Sequence, residues 1–202
     1  MHLLNSKDEA IDAFNKCKNY VENQLNLKIK IIRSDRGGEY ESPFAEICLE
    51  YGIIRQSIEP YTPQSNGLAE WKNRTLKEMM NALMINSDSS RNLWGEVILT
   101  ANKILNRVTH RKTQSIPHEL WKGRKTNLKY FKVWGCLAKV EVSLLKRVKI
   151  GPKIIDCVFI GYAANSKACR FLVHKSDNLE IHVNTIIESD NAEFFLKKNL
   201  SV

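Results

Sequence analysis

The sequence has no apolar run approaching the ~20 residues that cross a bilayer, and its opening Met1-His2-Leu3-Leu4 is too short for the apolar region of a secretion signal. It gives no sign of a membrane partner or of export, so a nuclear or cytoplasmic setting is expected. Paired cysteine spacing is also missing. Cys17, Cys48, Cys136, Cys157 and Cys169 are scattered and odd in number, which excludes a closed disulfide framework and points to reduced, mostly buried thiols. His110, His118, His174 and His182 never stand at zinc-ligand distance from a cysteine, so no structural zinc is expected. Internal repeats and low-complexity tracts are absent as well.

One further scarcity is local. Between Lys103 and Lys153 stand 14 Lys and Arg but two acids, Glu119 and Glu141, an excess of twelve positive charges in a chain whose whole net charge is +9. A stripe of this density is the footprint of a polyanion binder, although a solvated face would have the same composition. With 202 residues, 43% apolar and 26% charged, the chain is long enough for one medium domain or two small ones.

What is present reads as an α/β domain followed by strands. Ser6 and Glu9 form a capping box ahead of Ala10, Ile11, Phe14, Cys17, Tyr20, Val21 and Leu25, whose spacing predicts an amphipathic helix over 7–25. Met1 to Leu4 resembles the end of a strand. Lys28 to Ser34 is β-branched and reads as a buried strand, with Asp35 at its C-terminal end and Gly37-Gly38 supplying a tight turn. Pro43 opens a helix that Gly52 closes, and Ile53 to Ile58 is a second strand. Carboxylates at strand C-termini line the crevice of α/β sheets.

A loop, Pro60-Tyr61-Thr62-Pro63-Gln64-Ser65-Asn66-Gly67, then leads to a helix reaching about Ile85 that carries Glu70, 35 residues after Asp35. Glu70, Arg74, Lys77 and Asn81 fall on one face of it. Two readings of that face stand open: an ordinary Glu70–Arg74 ion pair, or an acid at a divalent metal beside cations that hold phosphates. Ser90 to Val108 predicts another helix, with Trp94 and the Met79-Met80 pair in the core, and Pro117 to Trp121 a helical turn. After a junction near Asn127, strands are expected over 132–142, 154–162, 169–174 and 179–187, as in a small barrel.

The runs Ile32-Arg33-Ser34-Asp35-Arg36-Gly37-Gly38-Glu39-Tyr40 and Pro60 through Leu76, followed by Leu93-Trp94, Leu105-Asn106-Arg107, Glu119-Leu120-Trp121, Val133-Trp134-Gly135-Cys136 and Phe159-Ile160-Gly161-Tyr162, resemble the integrase of copia-type LTR retrotransposons. The resemblance implies an RNase H-like integrase core over 1–126, a small SH3-like β-barrel over 127–190 and a tail over 191–202. In that family three carboxylates hold two Mg²⁺ for phosphoryl transfer into target DNA. Asp35 matches the second and Glu70 the third. Tyr61 and Asn66 match loop positions that approach the DNA end, and Arg74 and Lys77 match helix positions that hold phosphates; Trp71 stands where family members usually have Arg.

The strand bearing the first carboxylate lies upstream of anything in these 202 residues, and Asp8, Glu9 and Asp12, on the first helix, cannot replace it. The expectation is therefore an N-terminally truncated core with an open strand edge. It would hold at most one Mg²⁺ weakly, be catalytically incompetent alone, bind element ends and target DNA, and self-associate through the core. The alternative is a non-catalytic nucleic-acid-binding module acting through Lys146, Arg147, Lys149 and Lys153, or an unstable relic of a retroelement.

Overall fold

The computed structural model describes residues 1–34, 42–57, 67–110, 113–142, 153–176 and 181–195. It is a mixed α/β chain that divides into two compact units, Met1–Arg74 and Thr75–Val202.

In the first unit a 3-10 turn over Lys7–Glu9 leads into α1 (Ala10–Leu25), close to the expected helix. The cap differs from the expected box. Ser6 makes no side-chain cap bond, and Glu9 reaches back one residue further to accept from the Asn5 backbone N–H at 3.0 Å. Asn26 ends α1 in the left-handed region at φ 52°, a conformation Asn tolerates better than most residues. Phe14 packs on Phe44 of α2 (Ser42–Tyr51) with ring centroids 5.2 Å apart. The predicted apolar stripe does not continue from there, because Cys17, Tyr20 and Leu25 are exposed. The side chains that α1 buries are instead Lys18 and Glu22. Tyr51, at the end of α2, lays its ring 3.7 Å from the Lys18 ammonium, and the covered face follows that contact rather than the apolar count.

β1 (Ile31–Ser34) and β2 (Ile54–Ser57) pair in parallel, from Ile31 opposite Ile54 to Ser34 opposite Ser57, with α2 as the crossover. Gly52, at φ 65°, closes α2 as expected. Met1–Leu4 carries no regular structure.

α3 (Gly67–Ser87) runs from the first unit into the second, with Leu76 buried and Met80, Leu83 and Met84 packed against the core of the second unit. A 3-10 turn over Arg91–Leu93 starts α4 (Trp94–Leu105), which buries Val97, Thr100 and Ala101. Trp94, expected in the core, is 53% exposed at the first position of the helix, although it shares the face of Val97 and Ala101. α5 (Pro117–Lys122) follows, with proline at its first turn.

Five antiparallel strands complete the second unit: β3 (Leu137–Glu141), β4 (Ile154–Tyr162), β5 (Cys169–Lys175), β6 (Ile186–Ser189) and β7 (Ala192–Phe195), in the spatial order β6-β5-β4-β3-β7. β3 starts later than the predicted 132 and β6 is shifted past the predicted 179–187. Residues 191–202, expected as a tail, contain β7, whose Ala192–Phe195 supply the ladder partners of Val140–Leu137. The four residues are too short to show a periodicity and draw their structure from that pairing. The expected junction near Asn127 falls inside this second unit.

β6 and β7 are joined by Asp190 and Asn191 alone, yet they occupy opposite edges of the strand order. A flat sheet would hold those edges ~19 Å apart, at ~4.8 Å per strand, whereas three Cα steps reach only about 10 Å. The sheet must therefore curl until its edges meet. Its interior is an aromatic cluster: Phe159 lies 5.1 Å from Tyr162, 6.0 Å from Phe171 and 5.7 Å from Phe194, ring to ring. Phe159, Phe171, Val140, Val173 and Cys157 are fully buried, and burial pushes the Cys157 thiol up to about 12.

α4 packs on β4. Gly161 has φ 149°, and a Cβ there would lie 2.8 Å from Thr100 Oγ1, so only glycine permits the approach. Beside it Arg170 of β5 donates through Nε and Nη2 to both oxygens of Glu96 at 3.0 and 2.8 Å, while Nη1 reaches Glu188 of β6 at 2.8 Å. Such a bidentate pair fixes the helix against the barrel in orientation as well as distance.

Candidate functional site

Glu70 lies in the first turn of α3, where a negative charge complements the helix dipole. Arg74 and Lys77 follow one and two turns on, and all three side chains are exposed. The ordinary i,i+4 ion pair is not made: among the described residues Glu70, Arg74 and Lys77 have no hydrogen-bond or ion-pair partner. The helix thus presents an exposed carboxylate followed by two exposed cations. Trp71 beside them is 48% exposed.

Asp35, Tyr61, Asn66, Lys146, Arg147 and Lys149 lie outside the described residues. What the structure does give is the support ahead of Asp35. β1 ends at Ser34, held in register against Ser57, and Arg33 donates through Nη2 to Gln56 Oε1 at 3.1 Å. Lys153 is exposed, and its carbonyl accepts from the Val142 N–H at 2.8 Å just before β4. Among the described residues no group of three or more His, Cys, Asp or Glu gathers as a metal cage. The donors that the sequence offers at Asp35 and Glu70 are carboxylate oxygens, hard ligands whose chemistry fits Mg²⁺.

Two polar constellations escaped the sequence reading. Glu22 accepts from the Ile29 backbone N–H at 2.9 Å and from Lys18 at 3.2 Å, with Lys28 3.5 Å away. The Ile29 bond, aided by the Lys18 and Lys28 charges and opposed by burial, holds its carboxyl below the usual range. In the second unit the Lys103 ammonium sits 4.5 Å from the Tyr162 ring centre and 5.4 Å from that of Tyr130. Burial first, and the Arg107 charge second, pull Lys103 down to about 8, while burial pushes the Tyr162 hydroxyl up to about 12. The signal for this cluster was faint: a lysine between Ala101 and Ile104-Leu105 of α4.

Residues 136–201 match the family model described as the retroviral polymerase SH3-like domain, which spans the curled five-stranded sheet. Over 164 residues, 80% of the chain, it is 36% identical to the retrovirus-related Pol polyprotein from transposon TNT 1-94 of Nicotiana tabacum. The chain belongs to the copia-type retrotransposon Pol polyproteins. It is the portion of such a polyprotein that includes the SH3-like domain. It is also 28% identical over 169 residues, 83% of the chain, to the Pol polyprotein from transposon RE2 of Arabidopsis thaliana. It spans 12% of the length of each of these two Pol polyproteins.

Solved structures resemble it more distantly. The HTLV-2 integrase catalytic core domain in complex with magnesium aligns with 56% of this chain and 68% of its own, at TM-score 0.43 and 21% identity. A simian T-cell lymphotropic virus intasome in complex with the PP2A regulatory subunit B56 gamma aligns with 97% of this chain and 66% of its own, at TM-score 0.49 and 16% identity.

Proposed function

We propose that this portion of the Pol polyprotein is the DNA-handling part of a retrotransposon integrase. The carrying observation is the α3 face, where a Glu70 carboxylate with no ion-pair partner among the described residues is followed by exposed Arg74 and Lys77. In this reading Asp35 and Glu70 hold Mg²⁺, which when bound would stabilise charge on the phosphate oxygens. Arg74 and Lys77, with Lys146, Arg147, Lys149 and Lys153, hold DNA phosphates, and Tyr61 and Asn66 approach the DNA end. The integrase core extends over 1–126, and the barrel domain runs from 127 through β7.

These 202 residues offer two of the family's three carboxylates, so by themselves they hold at most one weak ion and join no strands. Strand transfer by the chain in Mg²⁺ or Mn²⁺, abolished by Glu70→Gln, would overturn that claim. Arg74→Gln with Lys77→Gln is expected to lower the slope of log affinity for duplex DNA against log salt by about 1.8, at ~0.9 per phosphate contact; an unchanged slope removes α3 from the interface. Self-association through the core and a nuclear or cytoplasmic setting belong to the same proposal, and light scattering of the chain with and without DNA tests the first.

A second reading, a non-catalytic nucleic-acid-binding module, is favoured by the twelve excess positive charges between Lys103 and Lys153. It predicts DNA binding that persists in Glu70→Gln and falls steeply with salt.

A further inference from the structure

α4 ends at Leu105, and the chain returns as α5 after a short excursion. The return is pinned by the His118 backbone N–H, which donates to the Asn106 carbonyl at 2.8 Å. Gly123 then reverses the chain at φ 63°, its N–H donating to the Glu119 carbonyl at 2.8 Å. The reversal brings the Thr126 N–H to Glu119 Oε1 at 2.7 Å and the Thr126 hydroxyl to His118 Nδ1 at 3.4 Å. Arg107 is anchored at the same corner, donating through Nη1 to the Lys103 carbonyl at 3.0 Å, with its guanidinium carbon 6.0 Å from the Phe131 ring centre.

The charges that bear on the His118 ring are Arg107 from the end of α4, Lys122 from α5 and Arg124 from the turn, against one acid, Glu119. That acid is already accepting from Thr126. Among the described residues none of the three cations is in an ion pair.

We propose that this corner binds the phosphodiester backbone of duplex DNA, with Arg107, Lys122 and Arg124 supplying the charge and His118 taking up a proton as the DNA binds. The proposal rests on the reading of the chain as DNA-handling and adds residues which that reading does not use. Three cations folded around one half-buried ring repel one another, and a phosphate relieves the repulsion while releasing its own counterions. In the free chain burial first, then Arg107, Arg124 and Lys122, hold His118 below its ordinary 6.5. An anion beside the ring reverses that bias and favours the imidazolium. Reciprocity then requires duplex binding to tighten as pH falls. A merely solvated basic face would bind DNA without moving this proton.

The test is an NMR titration of His118 in the full chain, free and saturated with a short duplex, alongside binding of that duplex at pH 5.5 and 7.5. The His118 midpoint is expected to rise from below 6.5 to above it. Affinity is expected to increase severalfold at the lower pH, and His118→Gln to abolish most of that increase. Lys122→Gln with Arg124→Gln, both exposed, should lower the salt slope by about 1.8. A His118 midpoint unmoved by saturating duplex, or a salt slope unchanged in the double variant, overturns the proposal. An equal shift with single-stranded RNA overturns the assignment to duplex DNA. Loss of affinity in Arg74→Gln with Lys77→Gln, but not in Lys122→Gln with Arg124→Gln, sinks the corner and leaves the α3 reading standing. No duplex binding at any pH or salt sinks both.

Discussion

Burying Lys18 and Glu22 on α1 takes two charges largely out of water, and each is given partners. Glu22 has the Ile29 N–H and two ammonium groups, and Lys18 has a carboxylate and the Tyr51 ring. Because the folded state depresses the Glu22 carboxyl below its unfolded value near 4.5, the unfolded chain binds more protons as pH falls below that value. This contribution to stability is therefore complete above pH 4.5 and is lost as pH drops through the folded midpoint. Glu22→Gln is expected to lower the melting temperature at pH 7 and to flatten the acid limb of a stability–pH curve; an unchanged acid limb would show that the network contributes nothing. Lys103 runs the other way. Its folded midpoint near 8 lies below its ordinary 10.5, so stability rises with pH between the two. The Tyr162 and Tyr130 rings offset part of the cost of its charge. Lys103→Met is expected to stabilise the chain at pH 7 by on the order of 1 kcal/mol, with the gain shrinking from about pH 8 and lost above about 10.5. At this scale the sequence was a poor guide. The i,i+4 spacing of Lys18 and Glu22 was visible, but their burial depends on Tyr51, 29 positions beyond Glu22 and on another helix.

Elements fared better where their residues carry the signal themselves. α2, α3 and α5 were legible from Pro43, Gly52, Pro117 and the Leu76-Met79-Met80-Leu83 spacing, and β4 matched its predicted span from Ile154 to Tyr162. α1 was found in extent but misread in facing, because an apolar count cannot tell which face a neighbour covers. The seat of α4 on β4 was also hidden, although Gly161 was quoted within a motif. Its need for glycine becomes visible only with Thr100 opposite. Gly161→Ala is expected to cost about 1–3 kcal/mol through backbone strain and the clash with Thr100, measured by denaturant unfolding. Pairing it with Thr100→Gly should recover the steric part, and a neutral Gly161→Ala would refute the close seat. The Glu70, Arg74 and Lys77 face was fully legible, since α3's periodicity alone aligns it.

Across the whole molecule, the curl of the sheet follows from connectivity rather than from any strand's composition. β7 joins β3 with Leu137 opposite Phe195, and Phe194 enters the aromatic cluster 5.7 Å from Phe159 and 5.8 Å from Phe171. Phe194→Ala is expected to lose about 2–3 kcal/mol, below the range for a fully buried phenylalanine because the ring is half-exposed. A chain ended at Asp190 should lose its sharp thermal transition, and retention of that transition would show the barrel stable without its last strand. The two-residue link at Asp190-Asn191 also sets the order in which the molecule can assemble. The partner of Leu137 is Phe195, so the contact that closes the barrel joins residues 58 positions apart (195 − 137). Loop closure of that length is slow, and on the ribosome it must wait for the final strand to emerge. Until then the Phe159–Phe171 surface stays open to water and to other chains, which makes β7 the timing element for escape from aggregation during synthesis.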